Sequence, residues 1–224
     1  MPTTSTSFRV RVLSKALVIG FLVAIGVVLL FAWLAEEVNE GETLRFDEHV
    51  RNTVHAHALP ALTSAMRFIS SVGSPGVMTL LSVVSFLILW LKRWRRAAIL
   101  LAITFAGGGL LDEVLKVSFQ RARPAAYFDY PLPRSFSFPS GHAMFAFCFF
   151  GTLASLVTAR LESRTVKVFV WAAAAVLIAL IGFSRIYLGV HYPTDVIGGY
   201  IAAFIWVAAV TIGDRWHRRR TERK

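Results

Sequence analysis

Long runs of apolar residues, each closed by charged positions, set the pattern of this chain. Residues 16–35 carry no charge over twenty positions; as a helix they rise about 30 Å, one hydrocarbon core. Further apolar runs follow at residues 74–91, 97–115, 143–159, 168–184 and 196–213, the run at 97–115 being interrupted by Asp112 and Glu113. The first run exceeds the roughly 7–15-residue core of a secretory signal and lacks a small-residue cleavage site, which predicts an uncleaved anchor. Residues 59–71 are too short to span and contain Arg67, yet Leu59, Leu62, Met66 and Ile69 share one helical face. They predict a helix lying in the membrane interface. The expected fold class is all-α: a polytopic membrane helical bundle of six transmembrane helices plus a short interfacial helix, forming one domain over residues 1–224.

Composition agrees. Of 224 residues, 56% are hydrophobic and 17% charged, against about 25% charged in soluble domains; a disordered chain, a coiled coil and an ordinary soluble globule are poor fits. Lys and Arg number 24 against 13 Asp and Glu, for a net charge of +11. With both termini cytoplasmic, sixteen of the 24 fall inside: Arg9, Arg11, Lys15, Lys92, Arg93, Arg95, Arg96, Arg160, Arg164, Lys167, Arg215, Arg218, Arg219, Arg220, Arg223 and Lys224. Cytoplasmic loops collect Lys and Arg in this way. The outer connection after the first run instead holds Glu36, Glu37, Glu40, Glu42, Asp47 and Glu48. The charge therefore reports topology. No nucleic-acid partner is expected, while a basic inner face with a basic tail at residues 214–224 suits attraction to anionic lipid. Cys148 is the single cysteine, which excludes an intrachain disulfide.

Eight cations remain on the outer side: Arg45, Arg51, Arg67, Lys116, Arg121, Arg123, Arg134 and Arg185. The last five share their connections with His142 and His191, and such a gathering of cations and imidazoles suits an anionic substrate. Their spacing is specific. Six residues lie between Lys116 and Arg123-Pro124; Pro139-Ser140-Gly141-His142 follows; then Ser184-Arg185, five residues, His191, three residues and Asp195. Over residues 116–195, these strings (KVSFQRARP, PSGH and SRIYLGVHYPTD) make the chain resemble the type 2 phosphatidic acid phosphatase family, matching its three-part signature at every fixed position.

The chemistry of the residues points the same way. Ser140 opens an apolar run as a natural helix N-cap, and the amides beyond it form a phosphate site. Gly141 allows close backbone approach. Lys116, Arg123 and Arg185 can hold phosphoryl oxygens, the arginines in bidentate fashion. Asp195 lies four positions after His191, a spacing that lets the carboxylate fix the imidazole tautomer and aim its other nitrogen outward. His191 can then attack phosphorus, and His142 can protonate the leaving group and afterwards deprotonate water. The resemblance implies the same assignment: His191 as nucleophile, Asp195 as its partner, His142 as acid then base, and Lys116, Arg123, Ser140, Gly141, His142 and Arg185 around phosphate.

Asp112 lies four residues before Lys116, which predicts an ion pair orienting the lysine. Gly107, Gly108 and Gly109 predict close helix packing. His55 and His57 form an HxH without further ligands, and the cations around His191 would repel a divalent ion, so neither a metal nor a cofactor is expected. A transporter would show broken helices and internal repeats, which are not evident; a vanadate-dependent haloperoxidase would be soluble. The expected activity is a membrane lipid phosphatase at the outer face of the cell membrane. Its expected partners are the bilayer and a lipid phosphate: undecaprenyl diphosphate first, with phosphatidylglycerophosphate, phosphatidate and diacylglycerol pyrophosphate as alternatives.

Overall fold

The computed structural model describes the backbone of residues 4–221 and the side chains of residues 20–221. Arg9, Arg11, Lys15, Arg223 and Lys224 thus lie outside the described side chains. The elements are helices α1 (Thr4–Glu40), α2 (Leu44–Ala56), α3 (Pro60–Val72), α4 (Pro75–Leu91), α5 (Arg95–Phe119) and α6 (Gly141–Ala146), a π-turn (Phe147–Gly151), then α7 (Thr152–Thr158), α8 (Arg164–Tyr187) and α9 (Pro193–Thr221). Local signals explain several starts. Ser74 and Ser163 each accept a hydrogen bond from the amide three residues on, Val77 and Val166, and Pro75 occupies the first turn of α4.

Among the described residues, five segments are long and apolar enough to cross a bilayer: Gly20–Glu40, Arg95–Phe119, Gly141–Thr158, Arg164–Tyr187 and Pro193–Thr221. Counted as one span, α3 and α4, bent by 50° where they meet, bring the number to six. The helix expected to lie in the interface is present as α3, but its inner stripe differs from the apolar face. Met66 and Ser70 are buried with Thr63 and Ile69 half-buried, while Leu59 and Leu62 are exposed. The polar members face inward because they have partners on α8, where the Thr63 hydroxyl meets Tyr187 Oη at 2.8 Å. Residues 44–56, expected as part of a connection, form α2, whose buried residues are Asp47 and Arg51.

The other helices overrun the expected spans, and this overrun builds the site. Helix α5 continues to Phe119 and so carries Lys116 in its last turn; α8 continues to Tyr187 and carries Arg185; α9 starts at Pro193 and carries Asp195 in its first turn. Helix α5 ends on Gln120, which has a left-handed φ of 46°.

The glycines at 107–109 form the packing seam expected of them. A Cβ on Gly107 would lie 2.1 Å from the Trp206 ring, one on Gly108 2.7 Å from Cys148 Sγ, and one on Gly109 3.1 Å from Phe145. Trp206 is pinned by donating Nε1–H to Thr104 O at 2.9 Å, so it cannot easily retreat. We expect Gly107→Ala to destabilise the bundle by about 1–3 kcal/mol, the usual cost of overpacking. Thermal unfolding in nanodiscs checks this, with Gly26→Ala as the silent control because nothing lies within 4 Å of its Cβ position.

Candidate active site

Alternating helix directions bring the three motifs to one end of the bundle, where α5 and α8 finish and α6 and α9 begin. There a cavity of about 250 Å³ is lined by Asp112, Lys116, Arg123, Gly141, His142 and His191, among others. His191 is 1% exposed and Asp195 fully buried. The His191 ring meets Asp195 Oδ2 through Nδ1 at 3.3 Å and Arg123 Nη1 through Nε2 at 2.9 Å. A guanidinium can only donate, so Nε2 is the accepting nitrogen and Nδ1 carries the proton toward Asp195. Burial lowers the His191 pKa to about 4 despite the opposing carboxylate of Asp195, which keeps the imidazole neutral near pH 7.

Asp195 is held from four directions. Its Oδ2 accepts from Ser137 Oγ at 2.5 Å, from the Tyr192 amide at 2.8 Å and from His191, while Oδ1 accepts from Arg121 Nη1 at 2.6 Å. Arg121 also donates from Nη2 to Asp47 Oδ2 at 2.8 Å, and Asp47 in turn accepts from the amide of Thr194 at 3.0 Å and its hydroxyl at 2.7 Å. Burial alone would lower the Arg121 pKa; Asp195 and Asp47 more than offset it and leave it raised. Arg121 sits in the variable interval of the KVSFQRARP string and Asp47 more than sixty residues upstream, so motif spacing could not point to either. The available signal was an acid and a base at outer positions without assigned roles.

The cations differ from one another. Lys116 Nζ lies 2.5 Å from Asp112 Oδ2, forming the expected ion pair. Arg123 spends all five donors: Nε on Ser135 O, Nη1 on Val190 O and His191 Nε2, Nη2 on Ser135 Oγ and Phe136 O. The bidentate edge expected of it is therefore engaged within the protein, because its loop wraps around it. Burial and then the nearby Arg185 lower the Arg123 pKa to about 10. Arg185 donates from Nη1 to Ser70 Oγ and to Tyr130 Oη, whereas its buried Nε has no partner among the described residues. Ser70 and Tyr130 are further residues that the motifs did not indicate.

Ser140 occupies the N-cap position of α6, but its side chain makes no capping bond; Oγ is fully buried without a partner among the described residues. The expected capping role is thus not realised. The Ser140 amide instead donates to Asp195 O at 2.9 Å, and a Cβ on Gly199 would lie 2.8 Å from Ser140 O, so α9 packs directly on this backbone. Gly141 is required by the lysine pair, since a Cβ there would lie 2.9 Å from Asp112 Oδ2 and 3.0 Å from Lys116 Nζ. His55 stacks on Tyr127 with centroids 3.8 Å apart, and His57 Nδ1 contacts Thr53 O, so the HxH rings face separate partners.

The profile of the PAP2 superfamily matches residues 97–219, more than half of the chain. The chain belongs to the PAP2 superfamily. This PAP2 phosphatase is 33% identical over 178 residues to phosphatidylglycerophosphatase B of Bacillus subtilis, covering 77% of this chain and 85% of that one. It is 28% identical over 176 residues to an undecaprenyl-diphosphatase of Sulfolobus acidocaldarius, covering 76% and 79%. Among solved structures it resembles the transmembrane PAP2-type phosphatidylglycerolphosphate phosphatase from Bacillus subtilis, with TM-score 0.79 and 30% identity over 86% of this chain and 96% of that one. The fold also resembles LpxE of Aquifex aeolicus, with TM-score 0.58 and 24% identity over 74% of this chain and 94% of that one.

In this PAP2 phosphatase the Asp47–Arg121–Asp195 array is testable apart from the motifs. Removing one partner of a buried ion pair costs about 3–5 kcal/mol, because it strands the other charge. Arg121→Met should lose stability on that scale and lower hydrolysis along with it, whereas Asp47→Asn, which keeps the hydrogen-bonding shape, should lose less. Unfolding and turnover measured on both variants and on their double mutant check this, and strictly additive effects would show that Arg121 and Asp47 are not coupled.

Proposed function

We propose that this membrane phosphatase hydrolyses the phosphate or diphosphate headgroup of a lipid through a phosphohistidine formed on His191. The observation that carries the reading is the His191 tautomer: Nδ1–H toward buried Asp195, and a lone pair on Nε2 where the ring lines the cavity. An entering phosphoryl oxygen replaces His191 Nε2 as the acceptor for Arg123 Nη1, a charged acceptor displacing a neutral one. The freed Nε2 attacks phosphorus as the bond to the leaving oxygen breaks, and His142 gives that oxygen its proton. Asp195 stabilises the imidazolium character that develops on His191. His142, now neutral, takes a proton from water; the hydroxyl adds to phosphorus, the P–N bond breaks and His191 returns to its starting state.

Lys116, Arg123, Ser140, Gly141 and Arg185 form the phosphate set in this reading. The unpartnered Ser140 Oγ and Arg185 Nε support it, since each is a buried donor whose desolvation a phosphoryl oxygen would offset. The cations supply the charge stabilisation that a metal would otherwise give, so chelation is expected to leave activity intact.

Undecaprenyl diphosphate is the leading substrate, with phosphatidylglycerophosphate, phosphatidate and diacylglycerol pyrophosphate as alternatives. Two of these substrates occur in the names of relatives, a phosphatidylglycerophosphatase and an undecaprenyl-diphosphatase, beside a lipid A 1-phosphatase of Rhizobium johnstonii. Their variety leaves the shared chemistry, a phosphate carried on lipid, as the firm element of the reading.

The two histidines should fail differently. His191→Ala should be inactive on every substrate and accumulate no protein-bound phosphate. His142→Ala should keep relatively more activity on nitrophenyl phosphate, whose leaving group needs little protonation, and should trap acid-labile, base-stable phosphate. Label on the His191 variant but not on the His142 variant would reverse the roles.

In this reading six spans put both termini on one side, and the distribution of cations supports taking that side as cytoplasmic, with the catalytic cavity facing outward. In a Cys148→Ala background, a cysteine at Glu42 should react with an impermeant maleimide on intact cells and one at Glu162 should not. Both positions are exposed. The opposite pattern would put the site on the inner face.

A further inference from the structure

At the end of the bundle away from the catalytic site, a larger cavity of about 480 Å³ lies between the start of α5, α7 and the end of α9. We propose that it binds the phosphodiester of an anionic glycerophospholipid in the opposite leaflet. Arg96, Arg160 and Arg215 line it, with Asp214 as its acid among the described residues. Arg96 already satisfies that acid, donating from Nη2 and Nε to Asp214 Oδ1 at 2.6 and 2.9 Å. Arg160 packs over the Trp94 ring at 4.1 Å and bonds Leu156 O, with no carboxylate partner among the described residues. The cavity is therefore cationic beyond what its own acid offsets, and basic pockets between transmembrane helices on the cytoplasmic side recognise anionic headgroups.

A second observation lies inside. Thr104 and Thr211, which line the cavity, and Thr158 on α7 each donate Oγ1–H at 2.7 Å to the carbonyl four residues earlier, as helical threonines commonly do. Thr152 also lines the cavity and is 6% exposed, but its Oγ1 has no partner among the described residues. The π-turn Phe147–Gly151 ends immediately before it and disturbs the carbonyl register that the other three use. A buried hydroxyl without a partner is unfavourable, and an accepting phosphate oxygen would relieve it.

Depth selects a lipid over a soluble anion. Arg96 and Lys116 both lie on α5, twenty residues apart, about 30 Å along the axis and one hydrocarbon thickness. With Lys116 at one headgroup layer, Arg96 reaches the other. Exposed Trp94 and Trp216 flank the cavity at that level, as aromatic residues do at membrane interfaces.

Native mass spectrometry of the delipidated full chain, given phosphatidylglycerol or phosphatidylcholine, tests this. Wild type should retain phosphatidylglycerol about tenfold better, the equivalent of one charge-assisted hydrogen bond. Thr152→Val and the double variant Arg160→Gln/Arg215→Gln should fall to the phosphatidylcholine level while hydrolysing a short-chain soluble phosphate like wild type. Equal retention of both lipids by wild type would overturn the proposal. So would retention that survives in the cavity variants but is lost in Lys116→Gln, which would place the lipid in the catalytic cleft. Thermal stabilisation by inorganic phosphate as large as that by phosphatidylglycerol, lost in the cavity variants, would make this a site for soluble anions and equally overturn the lipid assignment.

Discussion

The guanidinium of Arg121 lies between the carboxylates of Asp195 and Asp47, 2.6 Å from one and 2.8 Å from the other, with both acids fully buried. Much of the catalytic end depends on this bridge. Two buried carboxylates without it would repel each other and go unpaired, at a cost of several kcal/mol each. With it, the first turn of α9, the loop after α5 and the amphipathic α2 become one unit. Asp195 then keeps a fixed orientation toward His191. Arg51 repeats the device a few ångströms away, donating to Ala125 O at 2.7 Å and Gly189 O at 3.4 Å between the Tyr127 and Tyr192 rings. Gly189 makes that approach possible, with φ of 76° and Tyr127 N only 2.7 Å from where a Cβ would sit.

The charges inside the cavity are balanced to different degrees. Lys116 is neutralised at close range by Asp112, whereas Arg123 and Arg185 sit near enough for one to lower the pKa of the other. Arg123 answers its burial by saturating every donor with carbonyls, a hydroxyl and an imidazole, none of which carries negative charge. The geometry is thus preorganised while the electrostatic demand of the two arginines remains unmet. In the proposed mechanism a dianionic phosphate is a better acceptor for Arg123 than neutral His191 Nε2, so that substrate binding would itself release the nitrogen lone pair.

The spans and the motif residues were legible in the sequence because their signals are strong and local: twenty uncharged positions, a fixed spacing from Lys116 to Arg123, four residues from His191 to Asp195. What was not legible was polar and distant. Helix α2 buries Asp47 and Arg51, so its inward face is charged and a search for apolar periodicity passes over it. The inner stripe of α3 departs from its apolar face for the same reason, since Ser70 and Thr63 turn inward to meet Arg185 and Tyr187. The charges of Lys116 and Arg185 end the apolar runs, yet both residues remain helical where a partner or a polar cavity receives them.

One span serves both ends of the molecule, and its irregularity is what allows this. Gly141–Thr158 carries His142 at the catalytic cavity and Thr152 at the opposite one. A π-turn inserts about one extra residue, and in a helix of 3.6 residues per turn that rotates everything beyond it by about 100°. The rotation sets the face that α7 presents independently of the face that α6 must present. At the turn itself Cys148 and Phe149 are buried against the glycine seam of α5 and the adjacent core. Packing there stabilises an arrangement that local hydrogen bonding alone would not favour. The freedom gained is paid out at Thr152, whose hydroxyl loses the carbonyl an unbroken helix would have supplied.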